Sequence, residues 1–144
     1  MLKVPPQIIK DSVSKLSPSP NRLEIKKIGS CTVIDNSYSS NQQGFQKIIK
    51  DLKDLPGKKA LITPGIVELG AETPTVHQSL GKKAVDVFDS ICLIGKSDRT
   101  TNFNKGASGK AIILSANTSV WPLVKKLAPT HSWILIENDL PDNY

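Results

Sequence analysis

The sequence predicts one α/β domain: a Rossmann-like, mostly parallel sheet of about five to six strands with helices on both faces. Its 144 residues are enough to bury a core, and 38% are hydrophobic while 22% are charged, which is typical of a globular protein. Short apolar runs alternate with amphipathic stretches of roughly ten to fifteen residues, as in βαβ units.

Each predicted strand is a short run bounded by turn residues or polar loops. Gly29 and Ser30 form the turn between the first two runs, and Asp35 closes the second. Cys31 and Cys92 lie in such runs and are interpreted as small buried hydrophobes. The predicted strands cover residues 23–28, 31–34, 60–63, 90–94, 111–114 and 132–136.

The predicted helices follow a 3.6-residue period. In residues 42–55 the apolar positions Phe45, Ile48, Ile49 and Leu52 fit this spacing, so one face of the helix is expected to be buried. The other predicted helices cover residues 7–16, 74–88, part of 96–110, and 119–127. Residues 17–20, Ser-Pro-Ser-Pro, form a stiff connector because proline cannot continue a helix.

Charge is unevenly distributed along the chain. The first 60 residues carry 11 Lys/Arg against 5 Asp/Glu, while the remainder carries 8 of each. This excess indicates either an anionic partner or a lysine-rich solvated surface. The seven aromatic residues, two Trp, two Tyr and three Phe, do not interleave with the basic ones, which argues against a nucleic-acid partner.

No apolar run approaches the length of a membrane span, and the first residues lack a signal-peptide core. A cytoplasmic protein without a membrane partner is therefore expected. His77 and His131 are the only histidines, and neither lies near a paired-cysteine motif, so no metal site is predicted.

Phosphate-binding loops of the usual kinds are absent from the sequence. Gly95-Lys96-Ser97 lacks the earlier glycine of a Walker motif, and Gly109-Lys110 is followed by alanine rather than by a hydroxyl residue. Ligands of parallel sheets bind beyond the carboxyl ends of the strands, so the loops that follow the strands are the places to search.

Two such loops stand out. The stretch VIDNSYSSN at residues 33–41 ends a strand in acid and amide, and Ser40 or Asn41 can cap the following helix. It suits either an anion at the helix N-terminus or a capped loop without a ligand. The stretch TPGIVELG at residues 63–70 places Glu68 between two glycines, which predicts a sharply shaped loop.

These stretches, together with NRLE at residues 21–24 and HQSLG at residues 77–81, resemble the C-terminal domain of the Mur peptidoglycan ligases. Within that family the resemblance is to the enzymes that add D-alanyl-D-alanine to UDP-N-acetylmuramoyl-tripeptide. Order and spacing agree over residues 20–95. The acidic run at residues 137–142 departs from the basic ending that is usual in the family.

The resemblance implies roles for individual residues. Arg22 matches an arginine that reaches the phosphates of ATP when this domain closes, and Asn36 stands where an aspartate usually contacts the ribose. Tyr38 and Asn41 match the same cofactor-binding pattern. A second set is implied to bind the amine substrate: Asp35, Ser39, Ser40, Glu68 and His77.

The resemblance also implies the rest of an enzyme. Family members carry an N-terminal UDP-sugar domain and a central ATPase domain, which would bind ATP and Mg²⁺. Residues 1–20 would then be a helix and connector from the central domain, and residues 21–144 the C-terminal domain, which should be inactive alone. The alternative is a stand-alone Rossmann-like module that binds an anion or nucleotide without catalysis.

Overall fold

The computed structural model describes residues 22–38 and 41–138, which contain a six-stranded sheet. The strands are β1 (Glu24–Ile28), β2 (Cys31–Asn36), β3 (Lys59–Thr63), β4 (Ser90–Ile94), β5 (Ile112–Leu114) and β6 (Trp133–Glu137). Their order is β1-β2-β6-β3-β4-β5. Only β1 is antiparallel to its neighbour, while the other pairs are parallel, so the predicted fold class is confirmed.

Four α-helices connect these strands. They are α1 (Gln42–Lys53), α2 (Thr73–Ala84), α3 (Asp98–Gly106) and α4 (Val120–Leu127), and a 3₁₀ turn, Gly70–Glu72, precedes α2. The predicted helix over residues 7–16 and the connector after it lie outside the described residues.

Several helix and strand ends differ from the sequence prediction by a few residues. Helix α2 ends at Ala84, four residues before the predicted end, and the amides of Val87 and Phe88 bond to the carbonyl oxygen of Ala84 in the turn that follows. Strand β2 runs two residues further than predicted. Asp35 and Asn36 continue its register against β6, so their polar side chains did not end the strand.

Both faces of the sheet are covered, and alternate strand residues therefore enter two cores. Leu61 and Leu135 pack with α1, α2 and α3 on one face. Ile62 and Ile134 pack with α4 on the other face. No helix in the described part of the chain is long and apolar enough to cross a membrane.

The two cysteines are buried and unpaired, as predicted. Burial raises the pKa of both thiols, although Lys27 and Lys126 act in the opposite direction on Cys31 and Cys92 respectively. Thiols of raised pKa carry little thiolate at neutral pH and are inert.

Helices α2 and α3 pack backbone to backbone through glycine. A Cβ on Gly81 would lie 2.0 Å from the carbonyl oxygen of Phe103, a main-chain atom that cannot turn aside. We expect Gly81→Ala to lower the free energy of unfolding by about 1–3 kcal/mol through overpacking, measured by urea denaturation. Lys82→Ala, at an exposed position of the same helix, is the control and should change little. Equal stability of both variants would mean that the helices do not approach this closely.

Candidate functional site

The carboxyl ends of four parallel strands meet at one edge of the sheet. Strands β2, β6, β3 and β4 end there at Asn36, Glu137, Thr63 and Ile94. Because open parallel sheets bind ligands at this edge, the two loops singled out in the sequence are in the expected place.

Asn36 and Glu137 form a buried pair at the centre of this edge. They face each other in register, and the Asn36 Nδ2 donates to both carboxylate oxygens of Glu137 at 3.0 and 3.1 Å. The Asn36 Oδ1 accepts the amide hydrogen of Leu23 at 3.2 Å. Asn36 is 8% exposed and Glu137 is fully buried. The amide therefore ties the end of β6 to the backbone that carries Arg22.

Sequence reasoning did not find Glu137. It ended the last strand at Ile136 and assigned Glu137 to an acidic loop. The apolar run WILI at residues 133–136 directly precedes this carboxylate, much as an apolar run precedes Asp35. That shared pattern was the available signal.

Asp35 points to the opposite face of the sheet, toward α4. Its carboxylate accepts from the Lys26 ammonium at 3.1 Å and from the Ser37 hydroxyl at 2.7 Å. Partial burial lowers the pKa of Lys26, but hydrogen bonds to Asp35 and Glu24 outweigh it, and the pKa is raised overall. The carboxylate is fully buried. Its hydrogen bond to Ser37 holds the first residue of the loop after β2 in place.

Arg22 lies at the start of β1, next to the same loop. Its guanidinium carbon is 4.1 Å from the centroid of the Tyr38 ring, which is within cation–π range. Tyr38 is 56% exposed and Arg22 is also exposed. The structure thus brings together two of the predicted cofactor-binding residues.

Asn41 begins α1, as one of the two predicted caps. Its side-chain oxygen accepts the amide hydrogen of Gly44 at 2.7 Å. Asn36 and Asn41 line one groove of about 350 Å³ with Leu23 and Lys47 among the other lining residues. This groove, at the end of β2 and the start of α1, is called the edge groove below. The predicted residues 39 and 40, both serines, lie outside the described residues.

The loop after β3 is shaped by His77, which is fully buried. Its Nε2 accepts the amide hydrogen of Ile66 at 2.9 Å, and its Nδ1 lies 2.7 Å from the carbonyl oxygen of Thr73. The ring is therefore neutral and protonated on Nδ1. Burial lowers its pKa further than the hydrogen bond to Thr73 raises it, and the positive charge of Arg99 adds to the lowering.

Asn138 connects the two predicted loops. Its side-chain amide donates to the carbonyl oxygen of Gly65, and its main-chain amide donates to the carbonyl oxygen of Asn36 at 3.1 Å. Gly65 has a φ of +84° and Asn138 one of +70°, values that favour glycine and asparagine. Asn138, which directly follows β6, thus hydrogen-bonds both to the end of β2 and to the loop after β3.

Glu68 lies on the loop after β3 with its side chain exposed. Its φ is +63°, a left-handed backbone conformation that costs a non-glycine residue roughly 1 kcal/mol or more. Backbone strain of this kind is common in functional loops, so Glu68 stays a predicted substrate contact.

Among the described residues, no group of three or more His, Cys, Asp or Glu side chains could hold a metal ion.

The neutral state of His77 predicts a pH effect on stability. A protonated ring cannot accept from Ile66, so the folded state binds the proton less tightly than the unfolded state, whose pKa is about 6.5. Stability should be complete above pH 6.5 and fall as the pH drops toward the folded pKa. We expect the urea concentration at the midpoint of unfolding to decrease as the pH is lowered from about 7.5 to about 5.5. The variant His77→Gln should be less stable at pH 7.5, and its midpoint should change less over this interval. An equally steep decline in His77→Gln would assign the effect to other groups.

The curated proteins that are similar to this chain in sequence share one name. No family model matches the chain. The UDP-N-acetylmuramoyl-tripeptide–D-alanyl-D-alanine ligase of Buchnera aphidicola (from Acyrthosiphon pisum) is 36% identical over 77 residues, 51% of this chain and 17% of the ligase. The ligase of the same name from Escherichia coli is 27% identical over 100 residues, 68% of this chain and 22% of the ligase. The chain therefore spans about a fifth of the length of these relatives.

Solved structures show the same fold. MurF from Acinetobacter baumannii superposes with a TM-score of 0.76 at 20% identity, over 98% of this chain and 32% of that protein. The MurF ligase of Thermotoga maritima in complex with ADP superposes with a TM-score of 0.67 at 19% identity, over 92% of this chain and 32% of that protein.

Proposed function

We propose that this chain is the C-terminal domain of an ATP-dependent amide-bond ligase of peptidoglycan synthesis, since it is similar in sequence to D-alanyl-D-alanine-adding ligases and superposes on about a third of a MurF structure. The sequence similarity to D-alanyl-D-alanine-adding ligases is the observation that carries this proposal. The proposed reaction joins D-alanyl-D-alanine to UDP-N-acetylmuramoyl-tripeptide in the cytoplasm. Residues 21–144 form the proposed domain, and residues 1–20 lead into it from the central ATPase domain.

Residues in and beside the edge groove are proposed to make secondary contacts with ATP. Asn36 lines the edge groove with its side chain already bonded to Glu137 and Leu23. Asn41 and Lys47, whose ammonium also pairs with Asp51, line it too, and Arg22 is an exposed cation adjacent in sequence to the lining residue Leu23. These groups suit phosphate or ribose oxygens, but the sequence contains no glycine-rich phosphate loop. We therefore assign the principal binding of ATP and Mg²⁺ to the central domain. When bound there, ATP supplies the phosphoryl group that activates the peptide carboxylate.

Arg22 is the proposed catalytic residue. Stacked on Tyr38, the guanidinium is held near the edge of the sheet while its hydrogen-bond donors stay exposed, since a cation–π contact uses only the face of the group. Closure of this domain over ATP would bring those donors to the transferred phosphoryl group. A charged donor at that position stabilises the negative charge that develops in the transition state.

The amine substrate is proposed to bind between the two loops. Glu68 presents an exposed carboxylate that suits the ammonium group of the dipeptide. Asp35 and His77 are buried and hold Ser37 and Ile66 in place, so their proposed part is to position the loops. Ser39 and Ser40 complete the proposed set.

The decisive experiment is an activity assay of the whole product of the reading frame that carries this chain. ADP release should require both UDP-N-acetylmuramoyl-tripeptide and D-alanyl-D-alanine, and the 144-residue chain alone should release none. Calorimetry should show that the chain alone binds ATP more weakly than micromolar. Micromolar binding, or a reading frame without an ATPase domain, would instead favour a stand-alone nucleotide-binding module.

A further inference from the structure

A second groove, of about 470 Å³, runs between α1 and α2. Its apolar surface comes from the half-buried Val87 and from the aliphatic stems of the lining lysines, above Ile49, which is only 2% exposed. Lys50 and Lys53 line it from α1, and Lys83 lines it from the end of α2. This feature is called the lysine groove below. It shares Lys47 with the edge groove, but the proposed ligase function does not use its other lysines.

The lysine groove has an excess of positive charge. Among residues 22–38 and 41–138, the salt bridges are made by Lys26 and Lys47, and none involves the three lysines named above. Asp86 is the one carboxylate among the residues that line the groove. The local charge therefore attracts an anionic partner.

Helix dipoles account for part of this pattern. Lys50, Lys53 and Lys83 lie in the last turns of their helices, where cations are stabilising. That effect explains lysine at these positions, but it does not require the cations of two helices to flank a shared apolar surface. The combination of charge and apolar surface is what indicates a partner.

The form of the groove discriminates between kinds of anionic partner. A small anion is usually held by converging, fixed donors, whereas the three lysines are exposed and make no salt bridge among the described residues. A bilayer surface is flat and would meet the lysines without entering the groove between the two helices. A helix with an apolar stripe between acidic residues matches both the surface and the rim, since helices bind in grooves of this kind.

We propose that the lysine groove is a docking site for an acidic amphipathic helix of a partner protein. The apolar side chains of that helix would cover Val87 and the aliphatic stems of the lysines, and its carboxylates would pair with Lys50, Lys53 and Lys83. The proposal is independent of the ligase reaction.

The probe is a synthetic peptide of Glu-Leu-Leu-Glu repeats, titrated into the whole ¹⁵N-labelled chain. The largest amide shifts should map to α1 and α2. Reversing the charges together, Lys50→Glu, Lys53→Glu and Lys83→Glu, should weaken binding at least about tenfold. The matched control is Lys105→Glu, Lys110→Glu and Lys125→Glu, which reverses three exposed lysines elsewhere. With the same net charge, it should weaken binding less than about threefold.

Two further measurements separate the sources of binding. A peptide of Glu-Ser-Ser-Glu repeats has the same charge without the apolar stripe and should bind at least about tenfold more weakly. Equal affinity for the two peptides, or an equal loss of affinity in both triple variants, would mean that the chain attracts any polyanion without using the groove. Either result would overturn the proposal. Tighter binding to phosphatidylglycerol vesicles than to the peptide, abolished by the first triple variant, would make it a membrane surface instead.

Discussion

Replacing Asn36 with aspartate is expected to lower the free energy of unfolding by about 3 kcal/mol at pH 7. The substitution exchanges a donor that lies 3.0 and 3.1 Å from the Glu137 oxygens for a second carboxylate. Two carboxylates that share a buried site cannot both ionise without a large penalty, so one must bind a proton and its pKa rises. Urea denaturation at pH 7 measures the loss, which should shrink as the pH is lowered toward 5.

The reciprocal change should restore most of this stability. In the double variant Asn36→Asp with Glu137→Gln, the amide and the carboxylate have exchanged strands, and the hydrogen bond between them can form again. Asn41→Asp is the matched control, because it makes the same chemical change at an exposed helix cap where aspartate serves equally well. A double variant no more stable than Asn36→Asp alone would show that the two residues are not coupled.

This pair gives a physical reason for asparagine at a position where the resemblance leads one to expect aspartate. A carboxylate is still present at this edge of the sheet, but it comes from β6 rather than from β2. Asparagine can donate to Glu137 and accept from Leu23 at once, which an ionised aspartate cannot do. The residues at positions 36 and 137 are therefore best understood together.

The fold could be predicted because its determinants are local. Alternating short apolar runs and amphipathic stretches predicted the described strands and helices. The turn predicted at Gly29 and Ser30 connects β1 and β2, which the structure shows as an antiparallel pair. Asn41 was one of two predicted caps, since capping depends on residues only a few positions apart. The order of the strands could not be read in this way, because β6 inserts between β2 and β3.

The interior of the site depends on contacts that are distant in sequence. Asn36 and Glu137 are separated by 101 positions, and Asn138 reaches Gly65 across 73. His77 was predicted to bind substrate from its motif alone, and the structure places it inside the protein, where it fixes the Ile66 amide. Single-sequence patterns identify polar residues at strand ends, but they do not tell which of these bond to one another.

Arg22 is the residue whose loss should cost the most activity in the complete ligase. If its guanidinium meets the phosphoryl group on closure, Arg22→Ala should lower kcat about a hundredfold, which corresponds to roughly 3 kcal/mol of transition-state stabilisation. Arg22→Lys should recover only part of the rate, because an ammonium group cannot make the paired hydrogen bonds of the guanidinium. Steady-state kinetics at saturating ATP and dipeptide measure both effects.

Two controls separate this role from a structural one. Arg22 is exposed and its described contact is the exposed Tyr38 ring, so Arg22→Ala should leave the urea midpoint of the domain nearly unchanged. Lys27→Ala removes another exposed cation a few residues away on β1 and should leave kcat within about twofold of the wild type, since screening weakens a charge that makes no direct contact. The largest loss is thus expected where the charge touches the reacting group. An Arg22→Ala ligase with wild-type kcat and wild-type KM for ATP would show that the arginine does not reach the phosphates, and the fold assignment would be unaffected.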